Sequence, residues 1–243
     1  MHMKRFTITL LALLVVTGIC AQKMELKGLG SFQSTWLFNK GISDRGDEQD
    51  YAPGWGWSYG LGYAFYITDK IGLEINGLQT VHTGYYSGTL DSSKTYNSYS
   101  SLSLIDIPVL FKLRSETGAF LEAGPMYSLV TKAKFVYDGA CQYPSYCVSR
   151  DVSADFASTN LSVLLGFGIK VKFGNLLGLV TGLRFQYGLS DLKGVDGQGI
   201  QFNNPFHYKE LNGTSSASAG LFLGLTLGLG GDGDSGSEGD KKE

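Results

Sequence analysis

The sequence predicts an all-β chain that closes as an eight-stranded antiparallel up-and-down transmembrane β-barrel, and three observations carry that reading. The first is the stretch LSVLLGFGIKVKF at 161–173. Its odd positions, Leu161 to Phe173, are all apolar, while the even ones include Ser162, Gly166, Gly168, Lys170 and Lys172. That two-residue period belongs to a strand with one apolar face and one small or polar face. The second observation is that such segments recur eight times, with connections that alternate long and short. An outer-membrane barrel has that even count and that asymmetry of turns, with both termini on the periplasmic side. The third is that the faces opposite the apolar ones are made of glycine, serine and a few charges, which fits the cramped lumen of a small barrel.

Composition agrees. The 243 residues include 34 glycines and 13% aromatics, and only 17% are charged, below the roughly one quarter usual for a soluble domain. Lys4 and Arg5 precede an apolar run at 8–16, and Ile19-Cys20-Ala21 offers a cleavage site, so residues 1–21 read as a secretory signal. Ile19 stands where a lipobox needs a small residue, which favours cleavage after Ala21 over lipidation at Cys20. Removing Lys4 and Arg5 from 20 basic residues leaves 18 against 22 acidic ones, a net charge of −4. No polybasic face points to nucleic acid. The two remaining cysteines, Cys141 and Cys147, lie in one loop of a chain bound for an oxidising compartment, and a small loop disulfide is expected.

After the signal, no window holds the roughly 18 to 20 apolar residues of a spanning helix. The first alternating segment, 25–39, sets Phe32, Trp36 and Phe38 against Ser31, Gln33 and Thr35. The second, 54–68, sets Trp55, Trp57, Tyr59, Leu61, Tyr63 and Phe65 against Gly56, Ser58, Gly60, Gly62 and Ala64. A third runs from Ile71 to about Tyr86, with Leu73 and Ile75 outward and Glu74 and Asn76 inward. The fourth, about 99–114, places Ile105, Ile107, Val109, Phe111 and Leu113 opposite Asp106, Pro108, Leu110 and Lys112, with a ladder defect expected at Pro108. The fifth, 119–137, sets Leu121, Tyr127 and Leu129 against Glu122, Ser128 and Lys132. The opening stretch, extended back to Phe156, is the sixth. The seventh, 178–192, turns Arg184 and Gln186 inward, and the eighth, 214–229, sets five leucines from Leu221 to Leu229 against Gly220, Phe222, Gly224, Thr226 and Gly228. Trp36, Trp55, Trp57, Tyr85, Tyr86, Tyr99, Tyr127 and Tyr187 fall near strand ends, as interfacial girdles require. Long loops are expected at 40–53, 87–98, 138–155 and 193–213, where recognition would reside. The barrel thus occupies 22–229, and the acidic, glycine-rich segment 230–243 reads as a disordered periplasmic tail.

The stretches IDIPVLFKLR at 105–114, GAFLEAGPMYSLV at 118–130, LLGFGIKVKF at 164–173 and YGLSDL at 187–192 resemble the PorT-like outer-membrane β-barrels of Bacteroidetes. The similarity covers about 22–229. It implies an outer-membrane location, assembly by the barrel-assembly machinery, and a link to protein secretion through a periplasmic or secretion-system partner. Outer-membrane barrels commonly finish on a terminal aromatic, whereas this chain continues past Leu229 into the acidic tail.

Seven charges fall on lumen faces: Glu74, Asp106, Lys112, Glu122, Lys170, Lys172 and Arg184. On the lipid face a midplane Lys or Arg would cost roughly 2 to 4 kcal/mol, so these must point inward. An ion-pair network that fills the lumen is expected, with Glu122 and Glu74 as partners of Lys170 and Lys172. A conducting path is the alternative, giving a small porin-like protein. For an enzyme, His82 with Ser87 and Asp91 would be the candidate set of a lipid-modifying site, but serines and aspartates occupy every loop. The tail acids Asp232, Asp234, Glu238 and Asp240 miss the spacing of an EF-hand. No catalytic residue, cofactor or metal ligand is assigned, and the expected role is structural or interactive, with outer-membrane lipid as solvent.

Overall fold

Alternation becomes ten strands in the computed structural model, which describes residues 23–90, 94–139, 149–174, 176–194 and 213–229. They are β1 (Lys23–Asn39), β2 (Asp50–Ala52), β3 (Gly54–Tyr66), β4 (Ile71–Leu90), β5 (Lys94–Arg114), β6 (Ala119–Gly139), β7 (Arg150–Asp151), β8 (Thr159–Phe173), β9 (Leu177–Gly188) and β10 (Thr214–Gly228). The short β2 and β7 only extend the pairing of β4 and β6. The eight long strands pair antiparallel in the ring β1-β3-β4-β5-β6-β8-β9-β10, and β1 closes it by pairing with β10 from Glu25↔Gly228 to Asn39↔Thr214. The eight-stranded up-and-down barrel read from the sequence is the observed fold. Among the described residues no helix is long and apolar enough to cross a membrane; strands do the crossing.

Lys23 and Leu229 lie at one rim, with the short turns at 67–70, 115–118 and 174–176. Gly118 makes its turn with φ +89°, and a Cβ there would stand 2.4 Å from the Lys170 carbonyl oxygen, so this tight turn needs glycine. The longer connections lie at the opposite, distal rim. In β8 every odd residue from Leu161 to Phe173 is exposed, Leu165 at 47%, while Asn160, Ser162 and Leu164 are buried. An exposed apolar belt of this size, continued by Trp55, Trp57, Leu61, Ile105, Phe111, Leu223 and Leu225, needs a nonpolar solvent.

Three expectations are corrected. Residues 87–98 do not form a loop: β4 and β5 pair as far as Leu90↔Lys94, so their described parts are a protruding hairpin. Its residues, mostly Ser, Thr, Asn and Tyr, lack apolar alternation because the outward face there has left the nonpolar belt. The seventh strand stops at Gly188, four residues early. Asp191 accepts from the amides of Lys193 and Thr214, each at 2.8 Å, and turns Leu192 into the barrel mouth. Likewise β8 starts at Thr159, and Phe156 makes an isolated bridge to Lys193.

The ladder is interrupted at Pro108 without change of register: pairing to β4 skips from Ile75↔Val109 to Leu78↔Asp106. The true register shift lies between Ser103 and Leu104, where Thr131 is the extra residue on β6. It exchanges the faces of β6. Before it, even residues such as Glu122, Met126 and Ser128 are buried; after it, Ala133, Phe135 and Tyr137 turn inward and Lys132 and Lys134 are exposed. Lys132, expected in the lumen, therefore faces outward.

The predicted signal at 1–21, the tail at 230–243 and the cysteine pair Cys141 and Cys147 lie outside the described residues.

Two measurements check these assignments. Leu165→Arg, at mid-strand on the outward face, is expected to lower stability in a bilayer by about 2–4 kcal/mol, read from denaturant unfolding in lipid vesicles. Ala133→Lys, which buries an ammonium where the bulge turns the chain inward, is expected to block folding or lower stability by several kcal/mol, while Lys134→Ala stays within about 0.5 kcal/mol.

Candidate functional site

The inward faces fill the lumen in layers from one rim to the other. At the distal mouth, Leu37, Ile42, Tyr86, Tyr96, Leu102, Leu104, Phe135, Val152, Phe156 and Leu192 form one buried apolar cluster. The helical turn α1 (Lys40–Ser43) supplies Ile42, which is 1% exposed. Tyr96 donates to the Glu48 carbonyl at 2.6 Å and Tyr86 to the Leu37 carbonyl at 3.1 Å, and Ile42 is buried in the cluster, so the segment 40–53, expected to be an outer recognition loop, folds across the mouth. Below it lies a polar band in which His82 Nε2 bonds the Trp36 carbonyl at 3.0 Å and Asn160 donates to Ser162 and Ser216, each at 3.1 Å. Leu29, Leu78, Phe120, Val180 and Phe222 make a second apolar layer.

Beneath that layer stands the ion-pair cluster. Glu74 on β4 accepts from Lys27 of β1 at 2.5 Å, from Lys112 of β5 at 2.8 Å and from Arg184 of β9 at 3.5 Å. Glu122 on β6 meets Lys112 at 2.8 Å and Arg184 Nε at 2.6 Å. Nearer the terminal rim, Glu25 takes Lys170 of β8 at 2.6 Å and Arg114 at 3.1 Å, and lies 3.7 Å from Lys27. Two cations are also seated on the aromatic layer, with Lys112 4.1 Å from the Phe120 ring centre and Arg184 4.4 Å from that of Phe222. Glycine makes the room. A Cβ on Gly166 would sit 2.8 Å from Glu122 Oε1 and 3.2 Å from Arg184 Cγ, and one on Gly178 would sit 2.9 Å from Lys170 Cε. Bulk at either position would push the charged groups apart.

Of the seven predicted lumen charges, the cluster brings together Glu74, Lys112, Glu122, Lys170 and Arg184. Asp106 is buried at 3% exposure but makes no ion pair among the described residues; it pairs in register with Ser128, six positions along β5 from Lys112. Lys172 is exposed at the rim. The partner of Lys170 is Glu25, not Glu122 or Glu74. Sequence reasoning passed over Glu25, Lys27 and Arg114, although parity marked them. Glu25 and Lys27 share the face of Ser31, Gln33 and Thr35, and Arg114 shares that of Lys112. The first segment's weak alternation hid that signal.

The hydrolase-like set does not assemble. His82 is buried at 1% exposure, whereas Ser87 lies five residues along the same strand, where alternation points it to the other face, and Asp91 is outside the described residues. No group of three or more His, Cys, Asp or Glu among the described residues could hold a metal ion. The arrangement is an electrostatic plug whose carboxylates each bridge several strands.

Removing one partner of a buried pair strands the others without compensation. Glu74→Gln is therefore expected to lower stability by about 3–5 kcal/mol, measured by urea unfolding with the gel shift between boiled and unboiled samples. Lys70→Ala, which removes the exposed Lys70–Glu116 pair, is expected to change it by less than about 1 kcal/mol.

Among solved structures, the chain is similar to Ail, the attachment invasion locus protein of Yersinia pestis, crystallised with the heparin analogue sucrose octasulfate, at 13% identity and TM-score 0.40 over 86% of this chain and 99% of that one. It is also similar to OprG of Pseudomonas aeruginosa, at 13% identity and TM-score 0.40 over 86% and 97%. Neisserial surface protein A matches at 12% identity and TM-score 0.38 over 85% and 97%. No curated protein matches. The family model described as outer membrane protein beta-barrel domain matches residues 21–194, most of the chain. With the closed ring and its apolar belt, that match identifies the chain as a member of the outer membrane protein β-barrel domain family.

Proposed function

We propose that this protein is a non-conducting, non-enzymatic outer-membrane barrel with a structural or interaction role, both chain ends in the periplasm. The filled lumen carries the reading. An apolar cap, a polar band, an aromatic layer and the Glu74–Glu122 ion cluster follow one another along the axis, and eight strands leave space for little beyond side chains. The orientation rests on the short turns at 67–70, 115–118 and 174–176, which share a rim with the described chain ends, as periplasmic turns do. The protruding β4–β5 hairpin and the β6–β7 edge are then the surface offered to the cell exterior, with Lys132, Lys134 and Asp151 exposed on it.

The PorT-like stretches at 105–114, 118–130, 164–173 and 187–192 support the finer reading, a part in protein secretion through a periplasmic or secretion-system partner. Outer-membrane lipid surrounds the belt, and the barrel-assembly machinery inserts the chain. Purified full-length barrel in planar lipid bilayers is expected to give no stable conductance steps. A steady open channel would overturn the closed-lumen reading in favour of a small pore.

A further inference from the structure

The terminal rim holds a cleft of about 400 Å³ lined by Asp69, Lys70, Arg114, Glu116, Lys170 and Lys172, with the Ser115–Gly118 turn as one wall. Lys70 and Glu116 pair with each other at 3.0 Å on its outer lip. Its floor belongs to the lumen: Arg114 and Lys170 reach inward to a single carboxylate, Glu25. Among the described residues, the ion cluster contains five cations, Lys27, Lys112, Arg114, Lys170 and Arg184, against three carboxylates, Glu25, Glu74 and Glu122. None of these side chains is more than 10% exposed. A buried excess of positive charge is held at a solvation penalty unless an anion stands close by. Asp106 is too far to serve: six residues along β5 is roughly 20 Å. Arg114 and Lys170, whose side chains are each 10% exposed, bring the excess to the cleft.

The chain supplies an anion at the same rim. Leu229 donates its amide to the Met24 carbonyl at 2.7 Å, and the segment 230–243 continues from there with Asp232, Asp234, Glu238, Asp240 and Glu243 against Lys241 and Lys242. Lys170 lies two strand spacings from β10 and level with Gly224, five residues inward of Leu229, so roughly 19 Å separates it from the origin of the segment. Six extended residues, at roughly 3.3–3.6 Å each, cover that span. Glycines at 230, 231, 233, 236 and 239 leave the backbone free to follow the cleft closely. We propose that the acidic segment 230–243 docks back onto its own barrel, its carboxylates seated in the Lys70–Arg114–Lys170–Lys172 cleft as the missing counter-charge of the lumen cluster. The proposal does not depend on whether the lumen conducts.

Carbodiimide coupling, which joins a carboxylate to an ammonium only when they touch, tests it on the full-length protein in detergent micelles and in lipid vesicles. Expected are links within one chain from Lys70, Lys170 or Lys172 to Asp232, Asp234, Glu238 or Asp240, read by mass spectrometry of the monomer band. The Lys70–Glu116 link is the internal control for reaction and folding. In the double variant Lys70→Glu, Lys172→Glu, whose two changes lie outside the buried cluster and which keeps the Lys170–Glu25 link as its control for reaction and folding, the tail link to Lys170 is expected to fall at least three-fold. A folded wild-type sample with the control link and no tail link would overturn the proposal. So would tail links found only between two chains, which would make the occupant a second copy, or a Lys170 link unchanged in the double variant.

Discussion

A backbone amide or carbonyl facing hydrocarbon has no water to bond, and each one left open costs several kcal/mol. Every other feature of this protein follows from that demand. The antiparallel ladder satisfies it within the sheet, but an open sheet would leave two edges; closure of β1 on β10, fifteen residues in register, removes them. Once the ring closes, side chains divide by parity between two solvents. An apolar belt that includes Trp57, Phe111 and Leu165 faces outward, and the charged residues within it turn inward, where eight strands leave little space for water.

That crowding explains the ion cluster. An inward charge in a narrow lumen has little water to hydrate it, and Glu25, Glu74 and Glu122 each meet cations from other strands. Glu74 and Glu122 each serve more than one cation, and the network ties β1, β4, β5, β6 and β9 together across the axis. Attraction alone does not arrange it. Gly166 and Gly178 remove side-chain bulk where the charged groups pass, and Phe120 and Phe222 present ring faces to Lys112 and Arg184. The terminal-rim cleft is the outward continuation of the same imbalance of charge.

The distal end obeys a different rule. Beyond the belt, strands β4, β5 and β6 carry on into water, and the apolar residues there cover the mouth. The bulge at Thr131 makes this change of purpose in one residue. It hands Phe135 and Tyr137 to the cap and Lys132 and Lys134 to solvent. The cap also gathers Ile42, Val152, Phe156 and Leu192 from segments far apart in the chain, so the mouth is closed by connections as well as strands.

The sequence by itself determined the fold class, the strand count and most strand limits, because parity is local: residues two apart share a face, and lipid rewards an unbroken apolar row such as Leu161 to Phe173. It also marked Glu74, Lys112, Glu122, Lys170 and Arg184 as lumen charges, since no other solvent would accept them. Only the tertiary structure decided which of them meet. The partner of Lys170 is set by the stagger of β8 against β1, two strands that are not neighbours in the ring, and Glu25 proved to be that partner. The face of Lys132 turned on a bulge, which parity cannot reveal because one inserted residue reverses every face after it. The long β4–β5 hairpin escaped for the converse reason: outside the belt, water accepts both faces of a strand, and the alternating signal disappears.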